Sequence, residues 1–212
     1  MAIYLDSALI AEAEAAYQMG WVKGITTNPT LLAKSDLPPE QTLSKLVQLT
    51  NGPLFYQLMA SDYRGMIAEA RAAFEIIGDR TVLKVPATGT GFEVVASLAG
   101  EITCSVTAIY SPAQAAVAKE AGAKYAIAYV NRATKLLGDG IALVRDMAQI
   151  LAGSDTEILA ASLKSPEEVA ASLQAGAHHL TLPLAMLQAV TTHELSDQTV
   201  AEFNAKGIGL KV

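Results

Sequence analysis

Lys84 stands inside an apolar run, with Val82 and Leu83 before it and Val85 after it, in the segment TVLKVPATGTG at 81–91. An ammonium in such surroundings must be paired, neutralised or used, because burying it alone is costly. Desolvation lowers the pKa of a buried lysine, by up to several units where burial is deep. A neutral amine attacks carbonyl carbons and forms Schiff bases. Two chemistries are open at this position: a nucleophile, or one half of a structural salt bridge to Asp6. Lys164, in AASLKSP, is a rival nucleophile, but it lies past its strand beside a proline turn. Lys124 opens its strand and belongs at the opposite end.

Polar residues recur at the ends of the other β-rich runs. The first ends in Asp6, the second in Thr26, Thr27 and Asn28, and the third carries Gln57. Thr107 closes the fifth, Tyr129, Asn131 and Arg132 the sixth, and Ser162 the seventh. Capping of the next helix, a common task of Ser and Thr, accounts well for Thr26 and Ser162. It accounts poorly for Asp6, Gln57, Lys84 and Tyr129. The three histidines, adjacent His178 and His179 and the separate His193, lack the spacing of a zinc ligand set. No metal site is expected.

The elements that must position these residues are short. Strand candidates are IYLD (3–6), GITT (24–27), LFYQLM (54–59), TVLKVP (81–86), ITCSVT (102–107), YAIAYV (125–130), EILAAS (157–162) and HLTLP (179–183). Alanine-rich stretches of helical period lie between them. SPAQ and SPEE each put proline at the first helical position after a serine cap, and EAGAKY and QAGAHH each put glycine where a helix should end. Eight strands alternating with helices predict a parallel sheet closed into one (β/α)₈ TIM barrel, a single domain over 1–212. An open doubly wound sheet would carry a glycine fingerprint after its first strand. Here the first strand runs into DSALIAEAEAA, and GTGF at 89–92 reads as a loop. LPLAMLQAV and SDQTVAEFNAKG read as two C-terminal helices, and the apolar tail IGLKV points to docking on a neighbouring subunit. Alternation places Val82 and Lys84 on one strand face and Leu83 and Val85 on the other. Chemistry in such barrels is built at the C-terminal strand ends.

At 212 residues, 51% hydrophobic and 17% charged, the chain can bury a large core. A net charge of −6 argues against nucleic acid as a partner, while a local Arg or Lys can still hold a small anion. The single cysteine, Cys104, excludes an intrachain disulfide and suits the reducing cytoplasm. Between Ile102 and Val106 it reads as a small strand residue. MAIYLDSALI lacks the basic start and apolar core of a signal peptide, and no apolar run is long enough to span a membrane.

Taken in order, YLD with Asp6, GITTNPTLLAKS (24–35), LFYQLMA (54–60), VLKVPAT (82–88), VTAIYSPAQA (106–115), YVNR (129–132), LAASLKSP (159–166) and LTLP (180–183) resemble the small transaldolase and fructose-6-phosphate aldolase family. The resemblance implies a (β/α)₈ barrel and class I aldolase chemistry with neither metal nor organic cofactor. It makes Lys84 the Schiff-base lysine, attacking the C2 carbonyl of a ketose or hydroxyketone donor. It gives Asp6 and Asn28 to the donor hydroxyls and to the orientation of the lysine, makes Thr26 a substrate-binding residue, and gives Tyr129 with Gln57 and Thr107 to a water used in proton transfer and Arg132 with Ser162 to the phosphate of the aldehyde half. Transaldolase-type members tend to carry glutamate and phenylalanine where this chain has Gln57 and Tyr129, so the pair resembles the aldolase type. Ile127-Ala128 replaces a common Ala-Pro, and Ser105 replaces a leucine; Ser105 and Ile127 are therefore read as substrate-contacting positions that affect the choice of donor or aldehyde. Family members form rings through their C-terminal helices, which implies a homo-oligomer, a pentamer or decamer. The expected activity is fructose 6-phosphate aldolase-like, with a dihydroxyacetone-type donor and a glyceraldehyde 3-phosphate-type acceptor. A transaldolase and a non-catalytic phosphosugar-binding barrel are the alternatives.

Overall fold

All eight expected strands form, and each pairs in parallel with its neighbours until the last closes on the first. The computed structural model describes residues 1–210. The strands are β1 (Ala2–Asp6), β2 (Ile25–Thr26), β3 (Leu54–Gln57), β4 (Thr81–Pro86), β5 (Thr103–Ile109), β6 (Tyr125–Tyr129), β7 (Glu157–Ala161) and β8 (His179–Leu182). Helices α1 (Ile10–Gln18), α2 (Pro29–Leu32), α3 (Pro39–Gln48), α4 (Tyr63–Ile77), α5 (Gly89–Leu98) and α6 (Pro112–Glu120) follow the first five strands. Then come α7 (Val130–Leu137), α8 (Gly140–Leu151), α9 (Pro166–Gln174), α10 (Leu184–Ala189) and α11 (Glu194–Lys206). The expected signals act as read. Ser111 and Ser165 cap α6 and α9 ahead of Pro112 and Pro166, and Gly122 and Gly176 follow those helices at φ +86° and +106°.

Alternation divides the strand side chains between two cores. Leu5, Leu83, Val85, Val106, Ala126, Ile158 and Leu182 face outward into the main apolar cluster with the helices, and Tyr4, Phe55, Val82, Ile127 and Leu159 form a separate cluster inside the barrel. Four rings plug its lower half: Tyr4 against Phe55 (centroids 5.3 Å apart), Phe55 against Tyr125 (5.3 Å), Tyr125 against His179 (5.5 Å) and His179 against Tyr4 (5.8 Å). His179 Nδ1 also accepts from the Ala2 N–H at 3.0 Å, joining β8 to the start of β1. Lys124 lies at this pole, as expected, paired with Glu157 at 3.1 Å.

The structure corrects some boundaries. GTGF is not a loop: Gly89 opens α5, and Thr88 caps it by accepting the Gly91 N–H at 3.0 Å. A Cβ at Gly91 would lie 2.0 Å from the Pro86 carbonyl oxygen, so glycine here lets the first helical turn approach the strand end. β2 is only two residues long because Asn28 already caps α2. β5 runs on to Ile109 through a register shift against β6, with Ala108 at φ +59°. No residue of α11 is buried. Ile208 and Leu210 of the tail IGLKV are almost fully exposed, and its last two residues lie outside the described residues. Among the described residues no helix is long and apolar enough to cross a membrane.

Phe55 is fully buried in the plug. Phe55→Ala is expected to lower the unfolding free energy in urea by about 3–5 kcal/mol, the usual loss for emptying a core phenylalanine site. A loss under about 1 kcal/mol would mean that the four-ring plug does not stabilise the barrel.

Candidate active site

The C-terminal strand ends surround a cavity of about 400 Å³, and of the expected site residues all but Thr107 and Ser105 line it. β3, β4 and β5 set Gln57, Lys84 and Ser105 side by side in register. Lys84 is only 4% exposed, and its Nζ donates to the Thr27 carbonyl at 2.7 Å. That carbonyl points inward because the Thr27 N–H and hydroxyl both donate to the Phe55 carbonyl, at 3.0 and 2.8 Å. Burial lowers the Lys84 pKa to about 8, with the Asp6 charge pulling the other way from a distance. Lys84 and Asp6 form no ion pair, so the salt-bridge alternative does not describe this lysine.

Asp6 is held instead by Thr26, whose hydroxyl donates to Oδ1 at 2.8 Å. With its one proton committed there, Thr26 takes the bond from Thr181, 2.6 Å away, as acceptor. Thr26 therefore does not cap a helix and orients a carboxylate. The cap is Asn28, whose Oδ1 accepts from the Leu31 N–H at 3.0 Å and the Thr30 hydroxyl at 2.7 Å, which leaves the amide nitrogen for the cavity. Gln57 Oε1 is buried with no hydrogen-bond partner within the described residues.

Across the cavity the Tyr129 hydroxyl lies 2.9 Å from Thr107 Oγ1. Burial raises the phenol pKa, the Thr107 hydrogen bond opposes the shift, and the group stays protonated at neutral pH. Thr107 thus does not line the cavity but bonds Tyr129, which does. Ser105 is fully buried and donates to the Leu83 carbonyl at 2.8 Å, while Ala108, turned inward where β5 shifts register, takes the lining position. Ile127 lines the floor with Leu159 and Ala161. Arg132, exposed in the first turn of α7, stacks 5.3 Å above the Tyr129 ring. Ser162 caps nothing; it holds φ +61° and its carbonyl accepts from the Asn131 N–H at 3.1 Å.

Other contributors escaped sequence reasoning. Thr181 alternates with His179 on the inner face of β8, a period-two signal that was there to be read. Lys164 lines the mouth of the cavity and is exposed, unlike a desolvated nucleophile. Glu69 carries no local signal, yet its carboxylate accepts from the Met59 and Ala60 N–H groups at 2.9 and 2.8 Å and from the Tyr56 hydroxyl at 2.7 Å, pinning the loop after Gln57. Among the described residues no three His, Cys, Asp or Glu side chains converge as metal ligands would.

The family model described as Transaldolase/Fructose-6-phosphate aldolase matches residues 3–210. The chain belongs to that family. A probable transaldolase of Hydrogenobaculum sp. (strain Y04AAS1) is 37% identical over 206 residues, 96% of this chain and 94% of the relative. One from Aquifex aeolicus (strain VF5) is 34% identical over the same shares. Among solved structures, a mandelate oxidase variant superposes with a TM-score of 0.64 at 16% identity, over 94% of this chain and 71% of that one, a likeness of fold alone. Membership of the transaldolase/fructose-6-phosphate aldolase family makes the chain an enzyme of the aldolase or transaldolase type, on a (β/α)₈ barrel.

Unfolding returns Lys84 to water, where its pKa is about 10.4, so the unfolded chain binds the proton more tightly than the folded one, and the charged ammonium penalises the fold. This penalty is complete below the folded pKa and fades as pH rises toward about 10.4, the value in water. Lys84→Met is therefore expected to raise the unfolding free energy at pH 7 by roughly 3 kcal/mol, before loss of the Thr27 hydrogen bond is subtracted. Urea titrations from pH 7 to 10 should show the gain shrinking; a loss at neutral pH would reveal a paired ammonium.

Proposed function

We propose that the protein is a class I aldolase of the fructose 6-phosphate type, acting through a Schiff base on Lys84. The observation that carries the reading is a buried amine drawn toward neutrality, with no ion pair, facing a cavity shared with a protonated phenol. The Lys84 amine adds to the C2 carbonyl of a ketose, and loss of water leaves an iminium. Removal of the C4 hydroxyl proton breaks the C3–C4 bond; its electron pair passes to the iminium, giving an enamine and releasing the aldehyde. Protonation at C3 and hydrolysis then free the three-carbon ketone. The iminium is itself the electron sink, so the chemistry needs no metal or organic cofactor.

In this reading Asp6, oriented by Thr26, and the free amide of Asn28 bind donor hydroxyls. Tyr129, with Thr107 and the unpartnered Gln57 carbonyl, positions the water that moves the proton. Arg132 and Ser162 receive the phosphate of the aldehyde half, the guanidinium by two parallel hydrogen bonds. The name shared by the relatives favours a second reading, a transaldolase that passes the enamine to another aldehyde. The exposed apolar side chains Leu195, Val200 and Phe203 of α11 support a homo-oligomer; its reading as a pentamer or decamer rests on the family resemblance. Ending the chain at Val190 should lower the mass seen by sedimentation equilibrium; an unchanged mass would place the contact elsewhere.

Tyr129→Phe separates the two enzyme readings. Wild type should release dihydroxyacetone from fructose 6-phosphate without added acceptor. The substitution should reduce that release by about 10²–10⁴-fold, with transfer to erythrose 4-phosphate suffering less. Transfer without cleavage in wild type, or cleavage untouched by the substitution, would establish the transaldolase. Neither reaction in wild type would leave a sugar-phosphate-binding barrel.

A further inference from the structure

β3 alternates its side chains across the barrel wall. Leu54 and Tyr56 pack outward among the helices, and Phe55 and Gln57 lie on the inner side. Gln57 lines the cavity next to Lys84 in the strand register. Its Oε1 is buried and has no hydrogen-bond partner among the described residues. An acceptor left in that state is costly unless something in the cavity donates to it. Where that oxygen stands depends on what holds the residues on either side of it.

The holder is a carboxylate of the outer layer. Glu69, on α4, accepts from the Tyr56 hydroxyl through Oε1 at 2.7 Å and from the Ala60 N–H through Oε2 at 2.8 Å. The Met59 N–H donates to both oxygens, at 3.0 and 2.9 Å. These donors bracket Gln57 in the chain, one side chain before it and two backbone groups after it. Between them the Leu58 N–H donates to the Lys84 carbonyl at 3.0 Å. Glu69 forms no ion pair among the described residues, so its charge is committed to neutral donors, and bonds to an ionised acceptor are about twice as strong as neutral ones. Glu69 does not itself line the cavity.

We propose that Glu69 is a positioning residue for proton transfer: by clamping Tyr56 and the Met59–Ala60 backbone it fixes the Gln57 carboxamide where it holds the water. This rests on the Schiff-base reading above. In that reading a ketone bound to Lys84 as the iminium gives a C3 proton to the water. The C–H electron pair becomes the C2–C3 double bond, and the iminium pair returns to nitrogen as the enamine forms. Reversal in heavy water leaves deuterium on C3. Dihydroxyacetone in heavy water, followed by NMR, therefore reads this step with no carbon–carbon bond broken.

Wild type should deuterate dihydroxyacetone. Glu69→Gln keeps the size of the side chain but turns an NH₂ group toward N–H donors, and it should slow the uptake about tenfold to a hundredfold, the scale of a misplacement near 1 Å. Borohydride trapping of the same ketone on Lys84 should keep its wild-type rate, because the Lys84 bond to the Thr27 carbonyl does not involve Glu69. In Gln57→Ala protein, Glu69→Gln should slow uptake no further, since residues acting as one unit are not additive. Equal losses of trapping and uptake would make Glu69 merely structural. Unchanged uptake, or a further loss in the Gln57→Ala background, would overturn the link to Gln57. If Glu69→Gln does not fold, Tyr56→Phe, which removes one of the three donors, must show the same selective loss for the claim to stand. A trapped adduct without deuterium uptake in wild type would refute the proton transfer and leave Lys84 as nucleophile; no adduct in wild type would refute the Schiff base and this role of Glu69 with it.

Discussion

An ammonium at the mouth of a barrel is governed by two opposing forces: desolvation, which drives off its proton, and nearby acceptors, which retain it. At Lys84 desolvation prevails, and the pKa settles near 8. A carboxylate in direct contact would have reversed that outcome and produced an inert ion pair. The structure holds Asp6 back by occupying it with Thr26, itself backed by Thr181, and gives Lys84 only the neutral Thr27 carbonyl. Thr27 in turn is fixed by two hydrogen bonds to Phe55, a residue of the aromatic plug. The packing at the bottom of the barrel is thus linked to the reactivity of the amine at its top.

Precision at the mouth comes from helix carboxylates that bridge backbone segments. Glu69 pins the loop after β3, next to Gln57, and Glu168 ties the start of α7 to the loop after β7. Each accepts hydrogen bonds from neutral N–H groups, and neither pairs with a cation of the cavity. Arg132 and Lys164, which line the cavity, form no ion pair among the described residues, while the segments that carry them are held in place.

Much of this was legible from residue types alone. Serine-proline helix starts, terminal glycines and eight short apolar runs specify the barrel. Lys84 announces itself because a charge in an apolar strand breaks the pattern. Legibility ended where position depends on register between elements. Ser105 was expected to touch substrate; it stands in register beside Lys84 but is fully buried, its hydroxyl donating to the Leu83 carbonyl, and Ala108, past the register shift of β5, lines the cavity. Thr26 was expected among the substrate-binding residues; it lines the cavity, and its hydroxyl bonds Asp6 and Thr181, a pairing across strands that no local motif reveals. The glycines of GTGF suggested a loop, whereas Gly91 serves the close approach of α5 to β4. Glu69 and Glu168 act across loops on partners that no local motif reveals.

The central claim is that the Lys84 amine is the nucleophile that attacks the donor's C2 carbonyl. Incubation with dihydroxyacetone and sodium borohydride, followed by digestion and peptide mass spectrometry, tests it most directly. The account predicts one reduced adduct, on the peptide containing Lys84, forming faster as pH rises toward 8 and the neutral amine accumulates. A stable label on Lys164, or no adduct on any lysine, would contradict it.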